Sequence, residues 1–155
     1  MRMWLLIFVV IVCCALCQTW GAACLRWLAA ARRRQEVRGL EREMRRRVAG
    51  TGFEPAQSFL PLGVGVALDP ARRLLFLAAR DWSGLRSTLV PFAALRTVRC
   101  GETSESGFYD HFVDVTVRDG VRESWRLLCG RNKALAAELV AVLKGVRGAA
   151  RGPRF

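Results

Sequence analysis

His111 is the single histidine in this 155-residue chain, and its isolation narrows the chemistry open to the protein. A paired-histidine metal site or a histidine-based nucleophile relay needs partners that the sequence does not offer, and the neighbours Tyr109, Asp110 and Asp114 fit an ordinary loop-to-strand edge better than a catalytic set. Asp114 shares a strand face with Phe112 and not with His111. Ser83 and Ser87 have no base close in sequence. Gly50-x-Gly52 and Gly63-x-Gly65 open no phosphate-cradling helix and read as turns. Cys14-x-x-Cys17 has the spacing of a redox pair, yet it lies inside an unbroken apolar run with no strand before it. The expectation is a protein that is not an enzyme, with no catalytic residue, no metal ligand and no cofactor.

The apolar run extends from Met3 to Leu25, 23 positions without a charged side chain, bounded by Arg2 and Arg26. At about 1.5 Å per residue it covers roughly 34 Å, which suits a membrane-spanning helix, and Trp4, Trp20 and Trp27 fall toward its ends. Between residues 26 and 48 follow nine arginines against three glutamates, a net of +6. The positive-inside rule then places a single-pass protein in a bacterial inner membrane with its C-terminal domain in the cytoplasm. A cleaved export signal is the alternative for the same residues. Cys13, Cys14, Cys17 and Cys24 lie in the run, and in a reducing compartment these and Cys100 and Cys129 are free thiols.

The formal charge of +12 suggests a nucleic-acid binder until it is partitioned. Residues 51–130 carry nine arginines and nine acids, whereas residues 131–155 carry six bases against Glu138. The basicity belongs to the flanks. With 23 of the 25 bases being arginine, it also points to a GC-rich bacterial coding sequence. The neutral body makes nucleic acid an unfavoured partner, with the arginine-rich stalk as its only seat.

Residues 28–52 read as a basic juxtamembrane helix and linker, following an anchor over 1–27. Val37, Leu40, Met44 and Val48 form a narrow apolar stripe on it. The stripe fits a solvated stalk, or else a weak homo-oligomeric coiled coil. Glycines 50 and 52 end the helix. From 57 to 147 the period becomes that of strands. Val64, Val66 and Leu68 alternate with small residues, and Asp69-Pro70 turns the chain. Leu74–Ala79, Arg86–Phe92 and Leu95–Cys100 follow. Gly101–Gly107 reads as a mobile loop, Val113, Val115 and Val117 alternate with polar residues, and Asp119-Gly120 signals a hairpin into Trp125, Leu127 and Cys129. A helix opened by Asn132 as N-cap carries Leu135, Leu139, Val142, Leu143 and Val146 on one face, and 148–155 is a basic tail. The expected fold class is α+β: a transmembrane helix with a basic stalk, then a small antiparallel sheet or barrel of six strands capped by a C-terminal helix.

Over residues 60–147 this order resembles the pleckstrin-homology-like (PH-like) domains of small bacterial membrane proteins and the related GRAM group. The resemblance rests on three stretches: Ala67-Leu68-Asp69-Pro70-Ala71-Arg72-Arg73-Leu74-Leu75 as a first hairpin, Val90-Pro91-Phe92-Ala93-Ala94-Leu95-Arg96-Thr97-Val98 as strand, tight turn and strand, and the terminal helix. It implies a non-catalytic scaffold that binds proteins or lipids. Lipid-binding members place bases around the first hairpin loop, where this chain offers Arg72 and Arg73.

The function expected from the sequence is a membrane-anchored, cytoplasmic binding module that recruits an unidentified protein, or anionic lipid, at the inner membrane. Arg26, Arg32, Arg33 and Arg34 are the expected contacts to anionic headgroups, since a base near a membrane surface contributes about 1 kcal/mol. Trp82 at a hairpin tip, Arg72, Arg73 and Tyr109 are the candidates for partner binding. The alternatives are a regulator holding nucleic acid on its stalk and an exported, signal-cleaved domain.

Overall fold

A computed structural model describes residues 2–151, except 83, 106–107 and 119–122; the side chains of residues 2–20, 81, 105, 108, 150 and 151 also lie outside the described set. Helix α1 runs Arg2–Val48. Seven strands follow: β1 Gln57–Ser58, β2 Gly65–Asp69, β3 Leu74–Asp81, β4 Gly84–Pro91, β5 Leu95–Glu105, β6 Phe108–Val117 and β7 Ser124–Gly130. Helix α2, Lys133–Arg151, closes the chain. The strands make two antiparallel sheets, ordered β1-β2-β3-β4 and β5-β6-β7. The chain divides into two compact units, residues 1–36 and 37–155. The first contains helix alone.

The transmembrane anchor expected over residues 3–25 is corrected here, and with it the N-terminal part of the expected fold class. No helix among the described residues is long and apolar enough to cross a membrane. The part of α1 whose side chains are described begins at Gly21 and soon becomes exposed and arginine-rich, and hydrocarbon does not tolerate such a density of charge. The remainder of the expected span, 3–20, lies outside the residues whose side chains are described. Single-pass placement in an inner membrane, and the cytoplasmic orientation deduced from it, fall with the span.

Both faces of the first sheet are covered, which is why every residue of β2 is buried. Val66, Leu68, Leu75, Leu77 and Val90 point inward to meet Val113, Val115, Trp125 and Leu127 of the second sheet and Leu135, Leu139 and Leu143 of α2. The opposite face carries small residues, Ala67 and Ala78, beside Phe76, and against them pack Leu40, Met44 and Val48 of α1. The stripe that reads in sequence as a stalk or coiled-coil seam is thus covered by the chain's own sheet. Leu40 is 7% exposed, and burying a leucine side chain contributes about 2 kcal/mol. Two hydrogen bonds fix the seat: the Ser87 hydroxyl of β4 donates to Glu43 Oε1 at 2.6 Å, and Arg46 donates to the same oxygen at 2.8 Å. Within the sheet, Gly65 lets β2 approach β3, since a Cβ there would stand 2.1 Å from the carbonyl oxygen of its partner Ala78.

Two further expectations change. The short pair Gln57–Ser58 adds a strand to the six expected. The expected loop over 101–107 is largely strand: β5 and β6 stay in register from Cys100↔Val113 out to Glu105↔Phe108, and residues 106 and 107 lie outside the described set. Gly101 makes this possible, because the Phe112 ring lies where its side chain would be. The expected turn at Asp119-Gly120 also falls outside the described residues. Asn132 caps α2 as expected, its Oδ1 accepting from the Leu135 amide at 3.0 Å.

Candidate functional site

Strands β3 and β4 pair from Leu74↔Pro91 to Asp81↔Gly84, so Trp82 sits in the tight turn at the free end of the hairpin. Among the described residues none covers its ring, and Trp82 is 97% exposed. The sequence favours a Trp82 ring folded back on the sheet over one held out as an anchor; the structure reverses that expectation. Arg80, one residue inside the hairpin, is exposed as well. At the free end of the β5–β6 ribbon Tyr109 is 63% exposed, opposite Ser104. Inward from it, His111 Nδ1 lies 3.3 Å from Glu102 Oε1. That is a cross-strand pair between β5 and the central strand β6.

The outer face of the second sheet carries a feature that the sequence reading missed. Phe112 lies over Gly101, the Arg126 guanidinium stacks 4.1 Å from its centroid, and Arg126 grips Asp114 through two bonds of 2.9 and 3.1 Å. The Asp114 carboxylate holds the Arg126 guanidinium more firmly protonated than usual. Leu128, on the same outward parity of β7, is 61% exposed. The alternation Trp125, Leu127, Cys129 already marks Leu128 as outward-facing, so the signal was available.

Arg72 and Arg73 occupy the β2–β3 turn, but both are engaged within the chain. Asp69, itself 1% exposed, accepts from the Arg72 amide at 3.0 Å and lies 3.5 Å from its Nη1. The same guanidinium lies against Gly52. Arg73 adopts φ 55 and donates from Nη2 to the Ala149 carbonyl near the end of α2 at 2.7 Å. Arg26, Arg32, Arg33 and Arg34 are exposed on α1 within the 1–36 unit, Arg32 lying 3.5 Å from Glu36. Arg72 and Arg73, at the opposite end of β3 from Trp82, do not join it in one site.

Ser87 and Glu43 are the described pair that most resembles a hydroxyl with its base. The contact is the clamp between α1 and β4, and Glu43 is held below the ordinary carboxylate pKa first by that hydroxyl and then by Arg46. Among the described residues no three His, Cys, Asp or Glu side chains converge to hold a metal. Cys24 and Cys100 are exposed thiols; Cys129 is buried, which pushes its thiol pKa up.

The class that this geometry defines is an α+β domain of two antiparallel sheets closed by a C-terminal helix, with exposed aromatic side chains at the free ends of two hairpins. No family model, no curated protein and no solved structure matches the chain.

Proposed function

We propose that the chain is a PH-like, non-catalytic binding module that recruits a protein partner through the free ends of its strands, with Trp82 as the principal anchor and Tyr109 as a secondary one. The observation that carries this reading is the 97% exposure of Trp82. A tryptophan held in water gives up the burial that its ring would gain at an interface, and tryptophan is among the residues that dominate binding energy. A tight turn on two well-paired strands presents it with little conformational freedom to lose. The hairpin of β2 and β3, the bend between β4 and β5 and the terminal helix α2 fall on the three stretches that carry the PH-like resemblance, which supports this reading.

Cross-linking and recovery of the full chain from the producing cell tests the proposal. Trp82→Ala is expected to reduce recovery of the specific partner at least about thirtyfold, equivalent to an anchor worth about 2 kcal/mol, while the melting temperature stays unchanged. His111→Ala should leave recovery intact. A folded His111→Ala protein with abolished cellular activity would overturn the reading, and so would a sharp fall in melting temperature for Trp82→Ala.

A further inference from the structure

Bases that the sequence distributes over separate segments meet at one end of the 37–155 unit. The guanidinium of Arg72 lies against Gly52, which directly follows the last turn of α1 with its Arg45, Arg46 and Arg47. Arg73 bonds the carbonyl of Ala149, two residues beyond Arg147 in α2. The Arg73 carbonyl accepts from the Phe92 amide at 2.8 Å, and the Arg118 amide donates to Ala94 two residues on, also at 2.8 Å. Both helices therefore end at the β2–β3 turn and the β4–β5 bend, and each brings its bases with it. Arg45, Arg73, Arg118 and Lys144 are exposed there. Among the described residues the acids at this end are Asp69, buried and already engaged, Glu43, which binds Arg46, and the exposed Glu54 and Glu123, which the bases outnumber.

Capping the helix carbonyls explains part of this arrangement, since cations favour helix C-termini, and Arg73 does so directly. It does not explain Arg118 just after the end of β6 or Lys144 farther back along α2, both facing water. We infer that this end is a phosphate-binding surface for a nucleic-acid duplex, gripping the backbone without reading sequence. Arginine, which dominates here, suits phosphate through its planar fork of donors. A lipid surface is the poorer fit, because a peripheral membrane site adds buried apolar area to the attraction of its bases. Among the described residues, the exposed large apolar side chains of this unit are Leu62, Trp82, Tyr109 and Leu128, and none of them is at this end. The inference is independent of the partner proposed for Trp82.

The test is fluorescence anisotropy of the full chain with two unrelated 20-base-pair DNA duplexes across a salt series, beside flotation with phosphatidylserine vesicles. Arg45→Gln/Arg118→Gln/Lys144→Gln is compared with Arg80→Gln/Arg99→Gln/Lys133→Gln, which removes the same charge elsewhere; any contribution from the apolar run at 3–25 is common to both. The first variant is expected to bind both duplexes at least about tenfold more weakly, with a log–log salt slope shallower by about 3, while the second loses about twofold or less. Equal losses in the two variants would reduce the effect to bulk charge and overturn the site. So would absence of duplex binding by the wild type at low salt, or a loss confined to the vesicles, which would assign the surface to lipid headgroups. Single substitutions at Arg45 and Lys144 carry the same test should the triple variant unfold.

Discussion

Asp69 serves two segments with one carboxylate: Oδ2 accepts from the Glu54 amide at 2.9 Å and Oδ1 from the Arg72 amide at 3.0 Å. The linker after α1 is thereby tied to the first hairpin. These two amides, in that order, hold the Asp69 pKa below the ordinary carboxylate value, and the Arg72 guanidinium adds to the effect. A pKa lowered by folding means that the unfolded chain takes up the proton first. The stabilisation is therefore complete above the unfolded carboxylate value, about pH 4, and is lost as the pH falls through the lower folded value. Asp69→Asn is expected to melt below the wild type at pH 7, with the gap narrowing as the pH drops from about 4. Melting curves followed by circular dichroism check this, and a gap that stays constant down to pH 2.5 would exclude the linkage. Asp69-Pro70 reads in sequence as a turn, and it is one. The reach of its carboxylate to Glu54, fifteen residues away, has no local signature.

The last turns of α1 behave as an element of the domain. Deleting them would strip Ala67, Phe76 and Ala78 of the cover given by Leu40, Met44 and Val48. A fragment of residues 57–147, the boundaries suggested by the change of period, is expected to be poorly soluble. One starting at 37 and ending at 151 should unfold cooperatively, and within it Leu40→Ala should cost about 2 to 4 kcal/mol, measurable by urea denaturation. Equal solubility of the two fragments would contradict the seating of the helix. The alternating strands, the N-cap at Asn132 and the apolar face of α2 were legible because each is a local pattern repeated along the chain. The destination of the 37/40/44/48 stripe was not. The face that receives it mixes Phe76 with the small residues Ala67 and Ala78, which are weak strand formers and gain meaning only when something packs on them. The ribbon at 101–105 was hidden for a similar reason, its polar residues resembling a loop until paired across to 108–112.

At the scale of the molecule, the basic end and the aromatic tips stand apart. Trp82 lies at the far end of β3 from the turn that holds Arg72 and Arg73, about eight residues or 25 Å along the strand, several Debye lengths at physiological salt. The two surfaces are therefore expected to act independently: Trp82→Ala should leave duplex affinity and its salt slope unchanged, and the Arg45/Arg118/Lys144 variant should leave recovery of the protein partner unchanged. Anisotropy and cross-linking on the same preparations check this, and a change beyond about twofold in either would mean that the ends communicate. Gly50 and Gly52, at φ 78 and 68, have the composition of a swivel. They lie between a helix seated on the sheet and an arginine packed against the second glycine, and that arginine is tied to the buried Asp69. A twist applied to residues 37–48 is thus delivered as torque to the β2–β3 turn and not lost in the linker: the segment works as a crank with a fixed handle.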